Sequence, residues 1–395
     1  MQLTETIIIN KNSCYYKECE RVTHLSKNLY NTALYTIRQE YIKNKNYLNY
    51  YSLNNIFVNS KNIDYYSLPA KVSQQILKLV DQNFKSFFKL LKLKQTGKYN
   101  KNIKLPKYLN KNGYQTVIYT NQAISKKELK QHKIKLSGTN ICLKIRDTIT
   151  NINQIRIVKH ETSNTFNIEI IYTINERKLL DNNGRFAAID LGVNNLATVS
   201  SNVTKPFIIN GRQLKSINQY FNKLLSKFYS ENKIKTNKCR TICRKHKNKI
   251  NDYLHKASRY IINQLVSQNI NTLIVGKNKN WKQEINIGKT NNQNFINIPH
   301  TKFIHLLKYK CALVGINFIE HEESYTSKCS FLDNETICKH KQYLGKRIKR
   351  GLFKSARNKL INADLNGSLN ILKKVVGEFK YSIEVCSTPV VINLL

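Results

Sequence analysis

The chain has 395 residues, enough for two or three domains with their own cores, and its 66 lysines and arginines against 24 acids give a formal net charge of +42. That imbalance implies a polyanionic partner, and the 23 tyrosines and 15 phenylalanines spread among the cations suit base stacking beside phosphate neutralisation. No apolar run approaches the ~18 residues of a membrane span, Met1 to Glu5 has no signal-peptide pattern, and nine cysteines without close paired spacing exclude a disulfide framework, so a soluble protein of a reducing compartment is expected.

Thr6 to Ile9 predicts one short strand. Leu25, Leu29, Ala33 and Ile37 then recur at helical spacing, as do Val72, Ile76, Val80, Phe84, Phe87 and Leu91. Lys78, Lys85, Lys89 and Lys92 interleave the second helix, either as a solvated face or as a backbone-contacting one. Between the helices lies a tyrosine- and asparagine-rich middle, Tyr41 to Tyr66. From Lys98 the period falls to two: Val117 and Tyr119, Ile134 and Leu136, Ile141 to Ile145, Ile155 and Ile157, then Phe166 to Ile170. That is the spacing of a small antiparallel barrel. Thr6 to Ile9 is expected to join it, which makes the helical segment an insertion. Asp181 to Gly184 reads as the linker to the next domain.

Phe186 to Ile189 predicts a strand buried on both faces that stops on a carboxylate, Asp190. Val193 to Asn195 supply a turn, and Leu196 to Ser200 returns antiparallel. Nucleases of the RNase H-like fold open this way, and so do actin-like ATPases, although the latter need glycine-rich phosphate loops that 13 scattered glycines do not provide. Phe207 to Ile209 predicts a third strand, followed by a helical stretch crowded with Arg240, Arg244, Lys245, Lys247 and Lys249. Cys239, Cys243 and His246 are expected to be able to meet on that helix and hold a metal, but no fourth ligand lies nearby for zinc. A further helix, His255 to Gln268 with Lys256 and Arg259, leads to a strand at Thr272 to Val275. Lys277 and Lys282 follow it, and another helix, His300 to Val314, precedes a strand at Ile316 to Glu320.

Strand, helix and strand in this rhythm make right-handed crossovers, so the strand ends at Asp190, Thr272 to Val275 and Ile316 to Glu320 open on one crevice. Glu322 and Glu323 follow the last strand, and Asp364 opens a helix. Carboxylates so grouped suit two Mg²⁺ ions for phosphodiester hydrolysis. Taken singly, each reads as a solvated surface acid.

AIDLGVNNLAT around Asp190, HKASR at His255 to Arg259, YTSK at Tyr325 to Lys328 and NADLNGSLNI around Asp364 resemble the TnpB (OrfB) family of transposon-encoded proteins, relatives of type V CRISPR effectors and of Fanzor proteins. NLYNTALY at Asn28 to Tyr35 and the segment Gln74 to Phe88 extend the resemblance over nearly the whole chain. It implies an α/β and β multidomain protein: a wedge-type β-barrel (1–12 and 96–182), an inserted helical recognition domain (13–95) and a RuvC-like, RNase H-like nuclease domain (183–395). It further implies a transposon-derived guide RNA, a double-stranded DNA target and metal ligation by Asp190, Glu323 and Asp364. Lys78, Lys85, Lys89, Arg240, Arg244, Lys245, Lys247, Lys256, Arg259, Lys277 and Lys282 are the expected nucleic-acid contacts. The compartment expected is the cytoplasm, with the nucleoid, of a bacterial host, or the nucleus of a eukaryotic or viral one.

The chain departs from the family pattern twice. The usual second acid ends the strand at Thr272 to Val275, where this chain has Gly276. Glu323, just before the Thr-Ser, matches instead the relocated glutamate of a subset of the family that includes the Fanzor proteins. The alternative is a dead site in an RNA-guided DNA-binding repressor. The zinc ribbon is reduced to Cys329, Cys338 and His340, so structural zinc is not expected, and a basic insertion occupies about 326–361.

Overall fold

In the computed structural model, residues 1–160, 164–231, 236–278, 288, 297–379 and 389–394 are described. The chain divides into two compact units, Met1–Asn175 and Glu176–Leu395.

In the first unit, β1 (Gln2–Ile9) pairs along its whole length with β6 (Thr165–Thr173), and β6 pairs with β5 (Ile152–His160). β5 in turn pairs with β2 (Val117–Thr120). All contacts are antiparallel, and β1 and β2 are the two edges of this four-stranded sheet. The other strands expected in a barrel, β3 (Lys133–Lys135) and β4 (Cys142–Lys144), make a separate ribbon, tied back through an Ile124–Leu136 bridge. α5 (Lys126–Leu129) precedes the ribbon.

Between β1 and β2 the chain runs through α1 (Tyr16–Asn44), α2 (Tyr50–Asn59), α3 (Ile63–Tyr66) and α4 (Ala70–Gln95). The tyrosine- and asparagine-rich middle is therefore helical. Asn49 caps α2 by accepting from the backbone of Tyr51 and Ser52, while Leu53 and Phe57, one turn apart, bury its inner face. α4 buries Val72, Ile76, Val80 and Phe84 and leaves Lys78, Lys85 and Lys89 exposed.

The second unit is built on a six-stranded sheet, ordered β11-β10-β7-β8-β9-β15. Its strands are β7 (Phe186–Leu191), β8 (Asn195–Ser201), β9 (Phe207–Asn210), β10 (Thr272–Gly276), β11 (Asn317–His321) and β15 (Val390–Ile392). β7, β10 and β11 run parallel, while β8 lies antiparallel between β7 and β9. Alternate residues of β7 bury into opposite layers. Ala187 and Ile189 pack with α7 (Asn237–Ser267) and α8 (His300–Val314), whereas Ala188 packs with Ile371 and Leu372 of α9 (Ala363–Val376). Asp190 shares the parity of Ala188, so it projects on the α9 side.

The basic stretch and the HKASR helix form one continuous α7, preceded by α6 (Arg212–Ser230). The apolar repeat is thin before Ile250, because that half of α7 buries only Cys239, so periodicity alone breaks the helix where the structure does not. In the basic insertion, β12 (Lys346–Lys349), β13 (Leu352–Lys354) and β14 (Leu360–Asn362) form a small antiparallel sheet over Phe353 and Ile361, so the stretch is not a plain loop.

Lys310 of α8 is 2% exposed, with Nζ 2.6 Å from Ser258 Oγ and 2.9 Å from the His255 carbonyl. Burial, helped by the nearby Arg259 charge, lowers its ammonium from 10.5 to about 8. Because the folded value is the lower one, the unfolded chain binds more protons between the two, and stability rises with pH from about 8 upward. Lys310→Met should flatten that rise in denaturant melts compared at about pH 7 and about pH 10. An equal rise in both proteins would exclude this lysine as its source.

Candidate active site

At the carboxyl edge of the sheet the last parallel pair is Val275 with Ile189, and the next residues along are Gly276 and Asp190. Glu323 lies two positions beyond β11, and Asp364 is the second residue of α9. Burial pushes the Asp190 carboxyl well above the usual range, and the charges of Glu323 and Asp364 push it the same way, with Arg347 opposing. Burial also raises Glu323. Asp190 thus lies close enough to the other two sequence-predicted acids to feel the charge of each. Glu322 is exposed and contributes only its carbonyl, which accepts from Lys374 Nζ at 3.0 Å.

The motif around Asp364 has a task at nearly every polar position. Asn362 caps α9 through Asp364 N at 3.0 Å and Leu365 N at 3.1 Å. Buried Asn366 and Asn370 donate to the Cys329 carbonyl, each at 2.8 Å, which fastens the loop after Glu323 to the helix. Ser368 bonds Ser200 at 2.7 Å and the Ala188 carbonyl at 3.0 Å, locking α9 onto β7 and β8. At Gly367 a Cβ would stand 2.8 Å from Asp190 Oδ2, so a side chain there would displace the acid. Likewise a Cβ at Gly276 would meet Glu323 Oε2 at 2.6 Å and Ile371 Cδ1 at 2.5 Å.

Several partners of the acids carry no sequence pattern of their own. Asn278 holds Glu323, donating to Oε1 at 3.3 Å and accepting from its backbone N at 3.2 Å. Asp364 receives Asn195 Nδ2 at 2.7 Å and the Arg347 guanidinium at 2.9 Å. His300 Nε2 lies 2.9 Å from the Gly192 carbonyl, which fixes the turn after Asp190. Asn195 and Arg347 were within reach of a sequence argument only as members of the hairpin motif and of the basic insertion.

Three carboxylates suit a hard divalent cation, and Glu323 Oε2 is buried without a hydrogen-bond partner, an unanswered acceptor on this shared face. As the side chains stand, no three His, Cys, Asp or Glu groups among the described residues close around one ion. Both Asp364 oxygens are engaged, by Arg347 and Asn195.

The predicted nucleic-acid contacts divide by environment. Lys78 lies over the Tyr50 ring, 5.0 Å from its centroid, and Lys89 is exposed, whereas Lys85 pairs with Asp81 at 2.6 Å. Lys256 pairs with Asp252 at 3.1 Å and Lys277 with Glu320 at 2.7 Å, so both are partly neutralised within the protein. Arg240, Arg244 and Lys247, at helical spacing, share a face of α7, while exposed Lys245 is on another and exposed Arg259 is further along the helix. Lys282 lies outside the described residues.

His246 does not meet Cys239 and Cys243. It sits 2.8 Å from Asn218 Oδ1 and stacks on Phe221, with centroids 3.9 Å apart and planes at 11°. In the insertion, Cys338 Sγ is 3.3 Å from His340 Nε2, and buried Cys329 reaches the Cys338 carbonyl at 3.6 Å. Glu335, nearly fully buried, pins this loop by accepting from Ser330 N at 2.6 Å and Leu344 N at 3.0 Å.

Fold and site together define a mixed α/β multidomain protein with a carboxylate cluster at the edge of a largely parallel sheet. Residues 169–282 match the family model OrfB_IS605, described as a probable transposase, and residues 300–371 match the Cas12f1-like TNB domain. The TnpB-like protein ORF457 of Acidianus two-tailed virus is 23% identical over 423 residues, covering 95% of this chain and 87% of that protein. These matches make the chain similar to proteins of the TnpB (OrfB) family. Among solved structures it is similar to a chain of the Cas12f1–sgRNA–target DNA complex (14% identity, TM-score 0.38, 93% of this chain and 98% of that one). A chain of a CRISPR-Cas12f ternary complex also matches (14% identity, TM-score 0.35, 93% and 83%). No helix among the described residues is long and apolar enough to cross a membrane.

Proposed function

We propose that the protein is an RNA-guided DNA endonuclease whose cutting site is Asp190, Glu323 and Asp364, in the Fanzor-like arrangement with the glutamate moved off β10. The observation that carries this is the buried, unpartnered Glu323 Oε2 at Gly276, on a face shared with Asp190 and Asp364. The sheet order, with β8 antiparallel in an otherwise parallel core, supports reading residues 183–395 as RuvC-like. The wedge-barrel reading of 1–12 and 96–182 rests on β1 pairing with β6, and the recognition-domain reading of 13–95 rests on the helices between β1 and β2.

Asp190 and Glu323 would hold Mg²⁺, with Asp364 joining them once it leaves Arg347. When bound, a metal pair stabilises the attacking and leaving oxygens of phosphodiester hydrolysis together. Arg347, freed in the same movement, would be available to a substrate phosphate. Sequence choice would come from base pairing with the guide. The protein would act where host DNA lies, in a nucleoid or a nucleus.

The Arg347–Asp364 ion pair favours a second reading, a complex that binds matched DNA and represses without cutting. One experiment separates them. RNA co-purifying with the protein is sequenced, and duplex DNA matched to its variable end is incubated with the complex in Mg²⁺, in Mn²⁺ and in EDTA. Metal-dependent cutting supports the nuclease, tight binding without cutting establishes the repressor, and random cellular RNA sinks both.

A further inference from the structure

α6 and α7 form a hairpin at the side of the sheet, with a groove of ≈ 570 Å³ between them. Its floor is apolar, from Ile217, Phe221 and Leu224 of α6 and Ile242 of α7. Its rim is cationic, from Lys245 and Lys249, one turn apart and both exposed. A second cavity of ≈ 380 Å³ shares Ser216, Ile217 and Lys249 with the first, so the groove continues along the hairpin. From Gln213 to Leu224 it follows α6 for about 16 Å, at 1.5 Å per residue.

The chemistry of the groove has two components. Tyr220 is 64% exposed at the wall, and the Phe221–His246 stack, with its planes 11° apart, presents a flat aromatic edge beside it. An exposed aromatic ring beside a pair of lysines one turn apart suits an unpaired polynucleotide: a base stacks on the ring and phosphates meet the cations. A duplex hides its bases and has no use for the floor. Arg240, Arg244 and Lys247 are absent from the lining of both cavities, so the basic cluster of α7 has two faces and only one borders aromatics.

The groove also has a direction. α6 begins at Gly211, whose N–H donates to the Asn194 carbonyl at 2.7 Å, in the turn that follows Asp190. A Cβ at Gly211 would stand 2.4 Å from the Val193 carbonyl, so α6 starts pressed against that turn. A strand in the groove therefore runs toward the hairpin beside the acids. At the Gln213 end, Asp252 beside Lys256 adds negative charge to the lining.

We infer that the α6–α7 groove is a track for single-stranded DNA, guiding the unpaired substrate strand to the carboxylate edge. This rests on the endonuclease reading for its substrate, and the test is arranged so that the two fail separately. Full-length protein, as purified with its RNA, is titrated in EDTA with a fluorescent oligo-dT strand, and a 5-iodo-deoxyuridine version is photo-cross-linked and mapped. Cross-links should fall on Tyr220 or Phe221. Tyr220→Ala, at an exposed position that does not disturb folding, should weaken binding about tenfold through a lost stacked base. Lys245→Gln with Lys249→Gln should lower the slope of log affinity against log salt by about 1.4, at about 0.7 for each phosphate contact. Blunt duplex binding should be unchanged in all variants.

Unchanged single-strand affinity in both variants, or cross-links confined to other elements, overturns the track. An equal loss for duplex makes the lysines general phosphate contacts and overturns it too. Loss of the co-purified RNA with oligo-dT affinity intact would make the occupant RNA and overturn the DNA assignment. Binding in EDTA requires no cutting, so a chain that never cleaves can still carry the track, and an active nuclease can still lack it.

Discussion

Asp190→Ala is expected to reduce cleavage of guide-matched DNA by about a thousandfold or more while the complex still binds that DNA. Asp190 stands at the end of a strand buried on both faces, and its carboxyl is raised by burial and by both neighbouring acids. Removing it relieves the crowding of negative charge, so the apo protein should be no less stable than wild type. That pairing of lost activity with undiminished stability sets a ligand apart from a scaffold residue, whose loss would lower both. Gel-shift affinity, single-turnover cleavage and a thermal melt on the same preparation read all three. Cleavage within tenfold of wild type would remove Asp190 from the site.

The second large effect is at Glu323. Glu323→Gln keeps the contact with Asn278 but takes away the charge, so cleavage should fall about as far as in Asp190→Ala, with Glu322→Gln nearly unaffected. The geometry at Gly276 allows a converse test. A side chain at 276 collides with Glu323 Oε2 at 2.6 Å, so Gly276→Ala alone should impair cutting by displacing that carboxylate. Gly276→Glu in a Glu323→Ala background removes this clash and returns a carboxylate to the same crevice. The Ile371 contact at 2.5 Å remains, so the expected rescue is partial, about a tenth of wild type or less, measured as single-turnover cleavage. Full activity of Glu323→Gln would end the assignment, and loss in Glu322→Gln alone would move it by one residue.

Much of the second unit was legible because its signals are local. Ala187, Ala188 and Ile189 form an unbroken apolar run ending on an acid, and β10 and β11 read likewise as strands set between helical patterns. Parallel pairing then brings Asp190 beside Gly276 by topology alone. Periodicity breaks α7 in two because its first half buries almost nothing, and it does not reveal α2 because only Leu53 and Phe57 carry the period amid asparagine and tyrosine. The partners of the acids were harder. Asn195, Asn278 and His300 act through one or two contacts across more than 40 residues of sequence and Arg347 across 17, and a side chain whose role is a non-local hydrogen bond leaves no periodicity to read.

The contact between position 276 and Glu323 also limits how such a site can change over generations. The two places for the glutamate draw on one volume, already shared with Ile371, so a sequence bearing both acids must displace one of them. On the endonuclease reading, gaining the second acid before losing the first would crowd this one volume, and losing the first before gaining the second would silence cutting. On that reading, moving the glutamate between the two strands would take a near-simultaneous double change or a period as a non-cutting DNA binder.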